Sequence, residues 1–417
     1  MIKVAILGYG IVGSGVAEVI RSNAENISRN AGQEIVVEKI LDVRDFENSP
    51  DAKLITKEPD EIFDNKEISV VVETIGGIGI AFDFTKRALM NGKSVVTSNK
   101  ELVATHAPEL LQLAKDNGVS YMYEASVGGG IPIIRPIQQC LAANKITGIL
   151  GILNGTTNYI LTKMRTEGKD FSDALKEAQV AGYAEANPTA DVEGQDTCRK
   201  IAILSSLAYG EMVDYKKIST KGISEITLVD IKYAERLNSR IKLLALSRKV
   251  ENGIYTRVSP VIIPMSHSLA NVEDVFNGIM VRGNAVGDAM FYGRGAGKLP
   301  TASAVVADII DIAKHAECNT VNVWKTPTEN NVLDILDFES AWFVRLDVSD
   351  KQRALEYVEN KIGNVSVVTL LGYEHELAFT TGLINERILV DFFKQMDSGK
   401  FVNEGINKVI SKIRLYK

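Results

Sequence analysis

Apolar residues along the first third of the chain come in short runs separated by helical spacing. Ile2–Leu7 is a continuous apolar run ended by Gly8, and an apolar stretch at helix period follows it through Asn23. Further buried-strand runs read at "EIVVEKILDV" (34–43), "ISVVVETIGG" (68–77), "KSVVTSNK" (93–100) and "YMYEASV" (121–127), with a helix at "FDFTKRALMNG". Strands alternating with helices predict a doubly wound parallel sheet over residues 1–135. From residue 136 the texture changes. Long amphipathic helices ("SDALKEAQVAGY", "CRKIAILSSLAYG", "KYAERLNSRIKLLAL") alternate with strand runs ("TGILGIL", "YTRVSPVIIP", "GIMVRGNAVGDAMFYG"), which predicts an α+β region over 136–295. A strong helix closes the run 287–315, and a segment near 296–318 is expected to complete the first domain. After a turn-rich "TPTENN", the stretch 325–417 reads β-α-β-β-α-β, a ferredoxin-like unit. The fold class is therefore α/β, with a Rossmann-type N-terminal sheet, an α+β middle and a ferredoxin-like end.

Composition narrows the class. The 417 residues suit two or three domains, with 45% hydrophobic and 24% charged residues and a net charge of −6. No block of like charge and no basic recognition helix suggests nucleic acid. No apolar run reaches the roughly 18–20 residues of a membrane span, and no charged segment followed by a cleavable apolar stretch opens the chain. Cys140, Cys198 and Cys318 are too scattered for a disulfide framework or a paired-cysteine metal site. A cytoplasmic, reducing setting is expected.

Several short motifs carry chemistry. "GYGIVGSG" sets Gly8, Gly10 and Gly13 in dinucleotide-binding register after a strand and before a helix. Ile11 and Val12 lie in the same turn. Gly8 permits the turn, Gly10 the approach of a pyrophosphate, and Gly13 close helix–strand packing. Near the end of the second strand, "LDVRD" offers Asp42, suited to the ribose hydroxyls of NAD, and Arg44, suited to the 2′-phosphate of NADP. The expectation leans to NADP through Arg44. "TSNKEL" places Lys100 at the carboxyl end of a strand, where open α/β sheets bind ligands, though a surface lysine behind an Asn99 or Ser98 cap fits the same letters.

"YEASVGGGIP" sets Glu124 before three glycines. It reads either as a hinge or as a carbonyl-rich loop for a hard cation. "LNGTTNYIL" starts a helix with hydroxyls and amides, suited to a small charged molecule or to ordinary capping. In "GYAEANPTADVEGQDTCRK", Asp196 and Lys200 stand one helical turn apart. Glu185 and Asp191 precede them. These acids read either as helix-start decoration or as a wall for an ammonium group, with Lys200 handling a proton.

In this order the motifs resemble those of homoserine dehydrogenases, over roughly residues 1–318, and "GYAExxPxxDVxGxDxxRK" is the most specific of them. The resemblance implies reversible NAD(P)H-dependent reduction of L-aspartate 4-semialdehyde to L-homoserine, in threonine, methionine and isoleucine biosynthesis. It implies Lys200 as proton donor, with Lys100 beside the nicotinamide and substrate. Glu185, Asp191 and Asp196 would surround homoserine, with Gly155 and Thr156 lining that pocket. Thr74 and Gly297 would contact the cofactor. Glu124, with carbonyls of Val127, Gly129 and Ile131, would form a monovalent cation site, usually for sodium. It further implies a homodimer or homotetramer and an ACT-like C-terminal domain for an amino-acid effector. The chain departs from the ACT pattern at "DVSDKQRAL", where an acid-x-Pro-Gly-Val-Leu turn is usual. An acylating semialdehyde dehydrogenase would need a positioned cysteine, and no cysteine sits in a suitable loop.

Overall fold

A computed structural model describes residues 1–315, 321–397 and 402–417. Cys318 and the end of the predicted 296–318 segment fall outside the described residues. In chain order the first elements are β1 (Ile2–Leu7), α1 (Ile11–Ser22), α2 (Ala24–Ala31), β2 (Ile35–Leu41), β3 (Ile55–Thr56), α3 (Asp60–Phe63), β4 (Ile68–Glu73), α4 (Gly79–Met90), β5 (Ser94–Thr97), α5 (Lys100–Asp116) and β6 (Tyr121–Met122). The middle of the chain holds β7 (Ile146–Ile152), α6 (Gly155–Glu167), α7 (Phe171–Val180), α8 (Thr189–Val192), α9 (Gln195–Tyr209), β8 (Ser219–Thr220) and α10 (Leu228–Arg236). Then come β9 (Ser239–Val250), β10 (Gly253–Pro264), β11 (Phe276–Gly283), β12 (Gly287–Arg294) and α11 (Lys298–Lys314). The chain ends in β13 (Glu339–Val348), α12 (Lys351–Ile362), β14 (Ser366–Val368), β15 (Glu376–Thr380), β16 (Ile384–Asn385), α13 (Glu386–Asp397) and β17 (Ile406–Leu415).

The chain divides into two compact units. The first comprises Met1–Ile149, Arg199–Lys216 and Ile279–Asn330. Its six-stranded sheet runs β3-β2-β1-β4-β5-β6 with parallel pairing throughout. The central strands are apolar because helices cover both faces: Val4, Ile6, Val70 and Val72 are fully buried. β1 lies between β2 and β4, so the chain reverses direction across the sheet at its carboxyl end. Such a switch point is where open α/β sheets hold their ligands. α11 returns from late in the chain to pack along α1, and Ala302, Val305 and Ile309 join that core.

The second unit comprises Leu150–Cys198, Lys217–Gly278 and Asn331–Lys417. β9 and β10 pair antiparallel along twelve residues each, from Ser239↔Pro264 to Val250↔Gly253. β17 joins β10 in parallel at Val261↔Arg414 and Ile262↔Leu415. β13 pairs antiparallel with β17 and β15, and β14 edges β15. Over β13–β17 the order β17-β13-β15-β14 is the 4-1-3-2 pattern expected of a β-α-β-β-α-β unit. Ala354, Val358 and Ile362 of α12 and Leu389, Phe392 and Phe393 of α13 bury one sheet face with Val344, Leu346 and Phe379. Two buried arginines fix this end. Arg345 donates to both Glu376 oxygens (2.7 and 2.9 Å) and to Asp230 at 2.7 Å, and Arg414 forks onto Glu386 (2.7 and 2.8 Å).

Two sequence expectations change. "KYAERLNSRIKLLAL" is not one helix. α10 stops at Arg236, Asn238 takes a left-handed φ of 50°, and β9 begins at Ser239. The run is apolar on both faces because β9 is buried on both, which a helix period cannot report. "YMYEASV" pairs only at Tyr121–Met122. A short 3₁₀ turn at Glu124–Ser126 then swings Glu124 inward.

Candidate active site

In the first unit the turn after β1 is as tight as its glycines predict. Gly8 has φ +91°, and a Cβ on Gly13 would stand 1.9 Å from the Gly8 carbonyl. No larger residue fits there without moving the turn. Thr74, just past β4, bonds the carbonyls of Leu7 and Gly8 at 3.0 and 2.8 Å. It thus fixes the turn from the neighbouring strand. α1 starts with no side-chain cap, and Ile11 in its first turn is 72% exposed. Open N–H groups at a helix start are suited to a pyrophosphate.

Asp42 is buried, and Tyr9 N–H (2.7 Å) and Arg44 occupy its carboxylate. Arg44 donates from its backbone N–H (3.0 Å), Nε (3.0 Å) and Nη2 (2.8 Å). The Arg44 guanidinium holds Asp42 far below the usual carboxylate range. The Arg44 side chain stays 59% exposed, and its Nη2 lies 3.9 Å from where a Gly10 Cβ would stand. A cation therefore lies over the dinucleotide turn, while the acid beside it is already engaged.

β5 ends at Thr97, and Asn99 caps α5 by accepting from Leu102 N–H at 3.1 Å. Its Nδ2 donates to the Gly77 carbonyl at 2.6 Å. Lys100 is thus the first residue of a helix that starts at the ligand edge of the sheet. Arg199, beside Lys200 on α9, pairs with Glu101, beside Lys100, at 3.4 Å. Lys200 is 8% exposed. Behind this edge the fully buried Glu73 accepts from Thr97 Oγ1 (2.6 Å) and the Ile75 N–H (2.8 Å), and burial raises its pKa.

Glu124 is 1% exposed, and its two oxygens accept three successive backbone N–H groups, of Ile133 (2.5 Å), Ile134 (2.8 Å) and Arg135 (2.8 Å). The carboxylate therefore anchors the chain that follows the glycines. Among the described residues, no group of three or more His, Cys, Asp or Glu side chains is placed to hold a metal. Gly297 caps α11 with φ 127° and accepts from Thr301 N–H at 3.0 Å.

In the second unit, the acids gather at the start of α6. Asn154 caps that helix by accepting from Thr157 N–H at 2.8 Å. Its other side-chain atom, Nδ2, donates to Asp191 Oδ1 at 2.7 Å and Asp196 Oδ2 at 2.9 Å. One 5%-exposed amide thus joins two carboxylates 37 and 42 residues away. Thr156 Oγ1 donates to the Tyr183 carbonyl at 2.6 Å. Glu185 is exposed on the loop between α7 and α8, where its carbonyl accepts from Gln179 Nε2. The structure therefore brings Asp191 and Asp196 onto the cap of the helix that Gly155 and Thr156 open, while Glu185 lies exposed on the neighbouring loop. Asn154 is the residue that sequence reasoning passed over. Its signal was present, an Asn between a strand and a helix start, but only the fold supplies its second partner set.

A glycine turn between a strand and a helix of a parallel sheet, with an uncapped helix start behind it, gives the first unit the form of a nicotinamide-dependent oxidoreductase's dinucleotide-binding unit. The models for "Homoserine dehydrogenase, NAD binding domain" and "Homoserine dehydrogenase" match residues 8–124 and 132–310. A homoserine dehydrogenase of Neisseria gonorrhoeae is 43% identical over 89% of this chain and 88% of its own. One of Pseudomonas aeruginosa is 39% identical over 99% and 98%. The crystal structure of a homoserine dehydrogenase from Thiobacillus denitrificans superimposes with a TM-score of 0.91 at 38% identity, covering 100% of this chain and 98% of that one. A hyperthermophilic archaeal homoserine dehydrogenase in complex with NADPH matches with a TM-score of 0.65 at 30% identity, over 77% of this chain and 99% of its own. The chain belongs to the homoserine dehydrogenase family. It is an NAD(P)-dependent oxidoreductase that interconverts L-aspartate 4-semialdehyde and L-homoserine. Among the described residues, no helix is long and apolar enough to cross a membrane.

Proposed function

We propose that Lys200 is the proton donor of this reaction and that Asp191 and Asp196, with Glu185 from the neighbouring loop, hold the substrate ammonium. The observation that carries this reading is the Asn154 amide, which bonds the half-buried Asp191 and the buried Asp196 from one helix start. Gly155 and Thr156 line the same pocket. Bound nicotinamide cofactor supplies the hydride, which goes to C4 of the semialdehyde. The Lys200 ammonium stabilises the charge growing on the carbonyl oxygen and gives that oxygen its proton, which completes the homoserine hydroxyl. In the oxidative direction Lys200 accepts the proton instead. Lys100, at the sheet edge, orients the substrate beside the nicotinamide.

NADP is the favoured cofactor in this reading, with NAD second. Arg44 supports it, because Asp42 is engaged by Arg44 and Tyr9 and is poorly free to accept ribose hydroxyls. Gly8, Gly10, Ile11, Val12, Gly13, Thr74 and Gly297 complete the cofactor contacts. A monovalent cation, sodium, would sit on the carbonyls of Val127, Gly129 and Ile131 near Glu124. The same reading carries a cytoplasmic homodimer or homotetramer and an amino-acid effector at the C-terminal unit, on the family resemblance. The test is NADPH formation from homoserine by Lys200→Ala. We expect turnover to fall by about two to four orders of magnitude, the usual worth of a positioned acid or base. An unchanged kcat would remove Lys200 from the mechanism.

A further inference from the structure

α6 carries the substrate cap at its start and, one turn on, a side chain that holds a separate loop. Asn158 is 1% exposed, and its Nδ2 lies 3.0–3.1 Å from the carbonyls of Val272, Asp274 and Phe276. Lys242 reaches the same point from β9. It is 2% exposed and donates to Asn158 Oδ1 at 3.0 Å and to the Val272 carbonyl at 2.5 Å, with Glu273 Oε1 3.6 Å away. Thr162, one turn beyond Asn158, donates to Glu273 Oε2 at 2.8 Å and accepts from Asp274 N–H at 3.1 Å. Arg240 and Arg165 also pair with Glu273, at Oε1 and Oε2 respectively.

A buried ammonium is costly unless its geometry is satisfied on every side, and a network that satisfies it is correspondingly rigid. Burial, with Arg240 and Arg165 nearby, lowers the Lys242 pKa to about 7. An apolar residue would fill this strand position at less cost, so the ammonium is not explained by packing. What the network holds is the loop 272–276, in which Asp274 takes a left-handed φ of 53° that its bonds must sustain. The Val275 carbonyl of that loop rests on the first residue of α6, 2.7 Å from where a Gly155 Cβ would stand.

We propose that Lys242 is a positioning residue. Through Asn158 and the 272–276 loop it seats the start of α6, and so sets how well Asn154, Gly155 and Thr156 meet homoserine. The inference rests on the reading of that helix start as the substrate pocket. The test compares Lys242→Met with Glu273→Gln, which weakens the same clamp at a partly exposed carboxylate. For Lys242→Met we expect the homoserine KM to rise about tenfold, the size expected for losing a hydrogen-bonded charge, while the NADP KM stays within about twofold. Glu273→Gln should move the homoserine KM about threefold in the same direction. An unchanged homoserine KM, or homoserine and NADP KM values rising together, overturns the role. If Lys242→Met does not fold, an unchanged homoserine KM in Glu273→Gln overturns it alone. Asp191→Asn measured in parallel separates the two claims. If its homoserine KM does not move, the pocket itself is wrong. If it rises beside an unchanged Lys242→Met, only the positioning role fails.

Discussion

The turn after β1 and the acid cluster at the start of α6, each proposed to take a charged group, are built by opposite means. The turn is local. Gly8 and Gly13 lie in one short loop, and the groups it presents are backbone N–H groups at the uncapped start of α1. The acid cluster is assembled. Asp191 and Asp196 reach it from two different helices, and one amide from a third segment holds them. A local site fails by steric obstruction. An assembled site fails by losing the group that joins its parts.

This contrast orders the expected effects. Gly13→Ala puts a methyl against the Gly8 carbonyl, and overpacking of this size costs about 1–3 kcal/mol. We expect cofactor affinity to weaken up to about a hundredfold, read by titration with NADPH. Asn154→Ala removes the joining amide and leaves two carboxylates without it. The homoserine KM should rise about twentyfold with little change in the NADP KM, the loss of hydrogen bonds to charged groups being worth about 1.5–3 kcal/mol. If both KM values rose alike, the acid cluster would not be the separate site described. Arg44→Ala should raise the NADP KM about tenfold and leave the NAD KM nearly unchanged, as expected for one cation lost from a 2′-phosphate. Equal effects on the two cofactors would show that Arg44 serves the turn and not the phosphate.

The last expected effect is on stability and not on binding, and concerns the support behind the glycine loop. Asp308 is fully buried. Its Oδ2 accepts the Glu124 N–H at 2.9 Å, and burial pushes its pKa up to about 8. Its folded value is therefore above its unfolded value, so between about pH 4 and 8 the native state binds a proton that the unfolded chain does not. Stability from this group falls as pH rises through that window. Asp308→Asn should raise Tm relative to the parent more at pH 8 than at pH 5, measured by thermal melts. An equal shift at both values would contradict the buried, protonated state.

The parallel sheet was legible because its strands are continuous apolar runs and its turns carry glycine. The cap at Asn99 and the helix over Asp196 and Lys200 were legible for similar reasons, since spacing and capping act within a few residues. β9 was not. Buried on both faces, it loses the alternation that marks a strand, and its leucines mimic a helix period. The role of Glu124 was half legible. Its place before three glycines pointed to a hinge or a cation loop, and not to the anchoring the structure shows, because its three N–H partners come from residues 133–135, after the turn. Asn154 was invisible as a bridge because its two acids lie 37 and 42 residues away. Local chemistry shows in letters, and assembled chemistry needs the fold.

The central claim is that the acids joined by Asn154 recognise an ammonium group. The most direct measurement compares Asp191→Asn with the parent enzyme on two ligands, homoserine and its ammonium-free analogue 4-hydroxybutyrate, as the inhibition or turnover constant for each. The account predicts that the substitution weakens homoserine by about tenfold, as for a lost charge-assisted hydrogen bond, and leaves the analogue, already weak, almost unchanged. Equal weakening of both ligands would contradict it.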